Sequence, residues 1–167
     1  MDIRNATEAD LPAILAITND AILHTTSSWN VHPTTLEARR EWLAARQAAA
    51  LPVLVADIDG IVAGFGSYGS FRAWDGYRLT VEHSIYVDAA FRRRGVGRLL
   101  LTALIDHATD AGMHVMMGVI SADNEVSITL HEQFGFETVG RLPEVGRKFD
   151  RWLDLVLMQK MLQRVAD

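Results

Sequence analysis

Two short runs in this chain carry residues able to do chemistry. In 80-TVEHSIYVD-88 a glutamate and a histidine stand side by side within an alternating pattern, and in 92-RRRGVGRLL-100 three arginines lead into two glycines and a leucine stripe. A carboxylate or an imidazole held beside a reacting amine can take its excess proton, so Glu82 and His83 are both candidate general bases. Alternation places Val81, His83, Ile85 and Val87 on one strand face and Glu82, Ser84 and Tyr86 on the other. His83 shares its face with apolar residues, as a packed and hydrogen-bonded histidine would. Glu82 is the preferred base.

The run 92-RRRGVG-97 lies between a strand pattern and a helix pattern. The first N–H groups of a helix lack intrahelical acceptors and can face a phosphate oxygen. Gly95 and Gly97 allow a close approach, and Arg93, Arg94 or Arg98 add charge-assisted contacts. The string is neither a dinucleotide fingerprint nor a P-loop. A solvated basic turn is the plain alternative. For an acceptor substrate, 72-RAWDGYR-78 offers Arg72 or Arg78 to a carboxylate, and Trp74 and Tyr77 to a side chain. Trp29, Lys148, Phe149 and Trp152 are further candidates from neighbouring loops, with structural anchoring the ordinary use of such tryptophans.

These groups need elements to position them. Residues 1–4 read as a first strand. The spacing of 7-TEAD-10 is that of a capping box ahead of Leu11, Ile14, Leu15 and Ile17, which predicts a helix reaching Leu23, with Pro12 bearing on its start. A second helix follows 34-TTLE-37 and runs through Trp42 and Leu43. Strands 53–58 and 61–69 flank Asp59 and Gly60, a hairpin signal. After the strand over 80–87, Leu99, Leu100, Ala103, Leu104 and Ala108 form a helical stripe, then come a strand over 114–120 and a short helix containing Ile128, Leu130 and His131. Two last strands are expected over 136–140 and 152–162, joined by a basic loop over 146–151. The alternation indicates a mixed α/β fold with most strands in one sheet, organised as a single domain over 1–167.

Composition narrows the classes. The 167 residues are 49% hydrophobic and 22% charged, with net charge −5, which suits a folded chain and disfavours a main role in nucleic-acid binding. The absence of cysteine excludes thiolate catalysis and cysteine-ligated metals. The six histidines are scattered and form no HExxH, so no metal is expected. The start has no signal-like apolar run and no stretch approaches a membrane span, which makes the cytoplasm the default and gives no membrane partner.

Arg92, Arg93, Arg94, Gly95, Val96 and Gly97 fill the acyl-CoA loop pattern of the GNAT superfamily of N-acetyltransferases, which the chain resembles from its first strand through 123-DNEVSITLHEQFGFETVG-140. Within it, 26-TSSW-29, 68-YGSFRAWDGYRLTVEHSIYV-87 and 145-VGRKFDRWLDLVLMQ-159 resemble the phosphinothricin and methionine sulfoximine N-acetyltransferases and L-amino-acid N-acyltransferases. The resemblance implies a mixed, mostly antiparallel central sheet with flanking helices and a splayed pair of central parallel strands. It implies acetyl-CoA as cosubstrate, held by the backbone around Ile85, Tyr86, Val87 and Asp88, by the loop from Arg92 to Gly97 with Arg98 and Leu99, and by Asn124. It places Trp74, Asp75 and Gly76 near the substrate with Glu82, His83 and Ser84. His131 stands where the superfamily often has a tyrosine that protonates the departing thiolate. A homodimer is the family habit.

The expected reaction is therefore acetyl transfer from acetyl-CoA to the α-amine of a small L-amino acid or an analogue such as phosphinothricin or methionine sulfoximine. Transfer to another amine (a peptide terminus, a polyamine, an aminoglycoside) and noncatalytic acyl-CoA binding are the alternatives.

Overall fold

A computed structural model describes residues 1–162. The chain begins with β1 (Asp2–Asn5), a short 3-10 turn (Glu8–Asp10), and helices α1 (Leu11–His24) and α2 (Leu36–Ala48). Then follow β2 (Val53–Ile58), β3 (Ile61–Ser70), β4 (Thr80–Val87), α3 (Val96–Asp110), β5 (Val115–Ser121), α4 (Glu125–Gln133), β6 (Glu137–Lys148) and β7 (Arg151–Met161). The capping box at Thr7 forms, with Asp10 accepting from the Thr7 N–H, but it closes the 3-10 turn. The α-helix proper starts at Leu11, with Pro12 in its first turn where no N–H is needed. Thr35 caps α2, one residue later than the spacing of 34-TTLE-37 indicates, its hydroxyl accepting from the Ala38 N–H.

The strands form one sheet in the order β1-β2-β3-β4-β5-β7-β6, antiparallel except where β4 meets β5. That single parallel pair requires the crossover supplied by α3. The leucine stripe of α3 fixes the crossover, with Leu100, Leu101 and Leu104 wholly buried and each adding about 1.5–3 kcal/mol. One face of the sheet packs against α3 and α4 through Tyr68, Val81, Met116 and Phe136. The other packs against α1 and α2 through Leu11, Ile14, Leu43, Val55 and Phe65.

The last hairpin differs from expectation. The strand expected over 152–162 forms as β7, but in place of a short strand over 136–140 and a basic loop over 146–151, β6 continues to Lys148 and turns through Phe149 and Asp150 alone, both at positive φ (52° and 57°). Irregularities between Thr138 and Gly140 and between Leu142 and Gly146 absorb the extra residues, so β6 carries Pro143 at the sheet edge. A two-residue turn of this kind normally announces itself with Asn-Gly or Asp-Gly, which is absent here.

Candidate active site

Alternation along β4 divides the candidate bases between the two faces of the sheet. Glu82 and Tyr86 lie on the α1/α2 side, where Tyr86 stacks on Phe65 of β3 at 5.3 Å between ring centroids. Burial raises the Glu82 carboxyl above its ordinary pKa, with the Arg72 charge pulling the other way. A half-buried carboxylate of raised pKa is suited to accept a proton near neutral pH.

The connection between α1 and α2 is held over this face by the far end of the chain. Lys148, buried at the end of β6, donates to the carbonyls of Thr25 (2.7 Å) and Ser28. The Trp29 ring packs against Gly146, where an added Cβ would fall 2.2 Å from Cζ3. Thr26 donates to Asp123 (2.8 Å), and the Asn124 amide donates to Ser27 (3.3 Å). Burial raises the Tyr86 pKa, and the adjacent Ser28 hydroxyl and Arg39 guanidinium oppose it. Ser28, beside Tyr86 on the face that carries Glu82, and Trp29 thus make a wall clasped from β6.

On the opposite face His83 meets His131, Nε2 to Nε2, at 3.0 Å. The carbonyl of Ser127 lies 2.6 Å from His131 Nδ1 and can only accept, so Nδ1 carries the proton. His131 Nε2 then accepts from the His83 Nε2–H, and His83 Nδ1 is left a bare acceptor, buried without a partner among the described residues. Gly118, opposite His83 in the parallel pair, makes the room: a Cβ there would lie 3.1 Å from His131 Cδ2. Burial pushes both pKa values down, and for His83 the neighbouring His131 adds to the effect. Folded histidines below their ordinary 6.5 stabilise the fold above that pH, and the contribution is lost as pH falls. His83→Gln, which keeps a donor for His131 but takes up no proton, is therefore expected to move the acid-unfolding midpoint to lower pH. An unchanged midpoint by circular dichroism counts against the neutral pair.

The histidine pair stands where the central strands part. β4 and β5 pair only from Thr80–Val115 to His83–Gly118; beyond that β5 follows β7, and Ser84 to Val87 lose their neighbour on that side. Alternate backbone N–H and C=O groups of Ser84–Val87 consequently face a gap, free to bind an extended chain. At its far end Asp88 caps a short turn through the Ala90 N–H (2.8 Å), and Gly95 (φ +82°) opens α3 in a conformation only glycine adopts cheaply. The N–H groups of Val96, Gly97 and Arg98 precede the first intrahelical bond, Leu99 N–H to Gly95 O. Arg93 and Arg94 are exposed beside them, with Arg94 over the Phe91 ring. Arg92 lies 3.7 Å from Asp20, and Arg98 bonds Gln133. An amide-lined gap ending at a cationic helix N-terminus fits the pantetheine arm and diphosphate of acetyl-CoA.

Among the other sequence candidates, Asn124 caps α4, accepting from the Ser127 N–H at 3.2 Å while tying down Ser27. Arg72, Trp74, Asp75, Gly76 and Arg78 stay exposed, Trp74 at 76%, in a loop stacked on itself through Phe71, Trp74 and Tyr77. Ser84 is exposed, and Phe149 and Trp152 lie at the surface. Sequence reasoning missed Ser28 and the α2 arginines Arg39 and Arg46. The signal was present in part: seven residues separate Arg39 from Arg46, which places both on the helix face that carries Trp42 and Leu43.

Comparison with known proteins bears on this geometry. The model of the Acetyltransferase (GNAT) family matches residues 14–136. An L-methionine sulfoximine/L-methionine sulfone acetyltransferase of Pseudomonas paraeruginosa is 51% identical over 94% of this chain and 92% of its own. The structure of a putative acetyltransferase from Salmonella typhimurium with its cofactor acetyl-CoA superposes with a TM-score of 0.96 at 46% identity, covering 100% of this chain and 96% of the other. That of a ribosomal-protein-alanine N-acetyltransferase from Brucella melitensis gives 0.96 at 49% identity, over 97% and 100%. With the parted parallel strands and the glycine-arginine loop both in place, the chain belongs to the GNAT acetyltransferase family.

Proposed function

We propose that this protein transfers the acetyl group of acetyl-CoA to the α-amine of a small L-amino acid or an analogue such as methionine sulfoximine, methionine sulfone or phosphinothricin. The observation that carries the reading is Glu82: a half-buried carboxylate of raised pKa on the clasped face of β4, two residues from the mouth of the strand gap. Acetyl-CoA supplies an acyl carbon as a thioester, so that the new N–C bond forms as the C–S bond breaks. Glu82, directly or through water, takes the proton that frees the amine lone pair. Backbone N–H groups of Ile85–Val87 that face the gap offer hydrogen bonds to the acyl oxygen, which gains charge in the transition state. Val96, Gly97 and Arg98 N–H groups, with Arg93 and Arg94, take the diphosphate. Overall the ammonium loses two protons, of which one ends on sulfur and one in solvent. Both ring nitrogens of His131 are engaged, so its role in this scheme is to wall the gap with His83 rather than to protonate the thiolate.

We read the protein as a homodimer as well. The β6/β7 hairpin exposes Val139, Leu142, Val145 and Trp152 (53%, 41%, 52% and 61%), a run of apolar side chains suited to a second copy. The similarity to a protein named as a ribosomal-protein-alanine N-acetyltransferase favours a second reading, transfer to a peptide N-terminus. Thiol release from acetyl-CoA, measured against equal concentrations of methionine sulfone, phosphinothricin, free amino acids and alanyl peptides, separates the two. The amino acids and analogues are expected to give the highest kcat/KM, and preference for the peptides would overturn the first reading.

A further inference from the structure

The clasped face holds a cation that the scheme above does not use. Arg39 points inward from α2, its guanidinium carbon 4.9 Å from the centre of the Trp42 ring; Trp42 packs edge-on to Phe65, and Phe65 stacks on Tyr86. Its Nε is buried with no hydrogen-bond partner, and among the described residues no carboxylate forms an ion pair with it. Other cations on this side have work to do. Arg46, two turns further along the same helix face, fills the space over Gly69 and donates to the Tyr68 carbonyl at 2.7 Å. Lys148 serves the carbonyls of Thr25 and Ser28. Arg72 is exposed, lies over the Phe71 ring and donates to the Phe71 carbonyl.

A half-buried guanidinium without a counter-ion is unfavourable in the free protein, since desolvating a charge costs free energy that a paired anion would return. Its neighbours indicate where that anion sits. Trp42 and Phe65 connect Arg39 to Tyr86, and Tyr86 shares its face of β4 with Glu82, so the free cation and the base lie on the same side of the sheet. A ligand whose amine faces Glu82 would present a carboxylate on the adjacent carbon toward Arg39. An α-amino acid has this arrangement; a simple amine or a blocked C-terminus does not.

We propose that Arg39 binds the α-carboxylate of the acceptor and is the residue that makes the site prefer free amino acids. The inference rests on the amino-acid reading of the site and deepens it. A guanidinium-carboxylate bond left unmade is worth a factor of roughly 10 to 150 in binding. Arg39→Gln and Arg39→Lys are to be compared with the unaltered protein on three acceptors: L-methionine sulfone, its carboxamide, and 3-(methylsulfonyl)propylamine, which lacks the carboxyl group. In Arg39→Gln the KM for methionine sulfone is expected to rise ~10–150-fold, with kcat and the KM for acetyl-CoA little changed. Its preference for the acid over the carboxamide and the amine should collapse, and Arg39→Lys should restore part of it. Because the cation is unpaired, Arg39→Gln should melt no lower than the unaltered protein, which a merely structural arginine would not allow.

Equal losses on all three acceptors, or an unchanged acid-to-carboxamide ratio, overturn the assignment of Arg39 while leaving the amino-acid reading standing. If the unaltered protein acetylates none of the three, the amino-acid reading fails and the role of Arg39 fails with it.

Discussion

Glu82→Gln is expected to lower kcat by ~10²–10⁴ while leaving the KM for acetyl-CoA near its original value. Glutamine preserves the size of the side chain and its place against Tyr86 but cannot take the amine proton. Stability should not suffer. The carboxyl pKa is raised in the fold, chiefly by burial, so the folded state favours the protonated form and ionisation at neutral pH works against folding. Glu82→Gln is thus expected to melt at the same temperature or slightly higher. In the unaltered protein kcat/KM should rise with pH through a carboxylate ionisation displaced above 4.5, and this limb should vanish in the variant. Activity within a few-fold of the original, with the limb intact, would remove Glu82 from the role of base.

Much of this site could be read from short-range pattern. The alternation in 80-TVEHSIYVD-88 separates Glu82 from His83, and the structure puts one against α1 and α2 and the other against α3 and α4. The glycines and arginines of 92-RRRGVG-97 sit at a strand-to-helix junction, and Gly95 takes the positive φ that opens α3. Asp59 and Gly60 turn the β2/β3 hairpin, with Asp57 accepting from the Gly60 N–H. These features depend on residues a few positions apart, where local conformational preference decides.

What pattern did not reveal depends on contacts between distant segments. The His83–His131 bond joins residues 48 apart and exists only because the crossover through α3 brings β5 and α4 alongside β4. In the proposed scheme it also makes His131 a wall of the gap and not the acid that residue type suggests, since a histidine held neutral with both nitrogens occupied is a poor acid. Arg39 reads as one of several surface arginines in 36-LEARREWLAARQA-48, and its lack of a partner emerges only when the surrounding carboxylates have been located. The full length of β6 and its tight turn escaped because the turn uses Phe149 and Asp150 instead of glycine, and that moved Lys148 from an expected loop into a strand. As a result Lys148, read from sequence as a substrate contact, is found fastening the connection between α1 and α2.

Lys148→Met is accordingly expected to damage acceptor binding and stability together, while sparing the donor side. The ammonium donates to two carbonyls 120 and 123 residues away, at the end of α1 and in the segment carrying Trp29. Methionine replaces the apolar stem but strands both acceptors. Each bond to a charged donor is worth about 1.5–3 kcal/mol, offset in part because no ammonium need then be desolvated, which leaves a net loss of ~2–4 kcal/mol. For a chain of this size that corresponds to a Tm lower by about 5–15 °C. With the clasp open, Ser28 and Trp29 no longer hold the wall beside Tyr86, and the acceptor KM should rise about tenfold or more, since 1.4 kcal/mol is a factor of ten. Gly146→Ala attacks the same clasp from the other strand position, because its Cβ would stand 2.2 Å from Trp29 Cζ3 and the ring must leave. It should reproduce the acceptor defect with a smaller fall in Tm, as the Lys148 bonds remain. Acetyl-CoA binding should be unaffected in both, because the gap beside Ser84–Val87 and the N-terminus of α3 lie outside the clasp. A Tm within two or three degrees of the original and an unchanged acceptor KM in Lys148→Met would show that the connection between α1 and α2 keeps its place without the lysine.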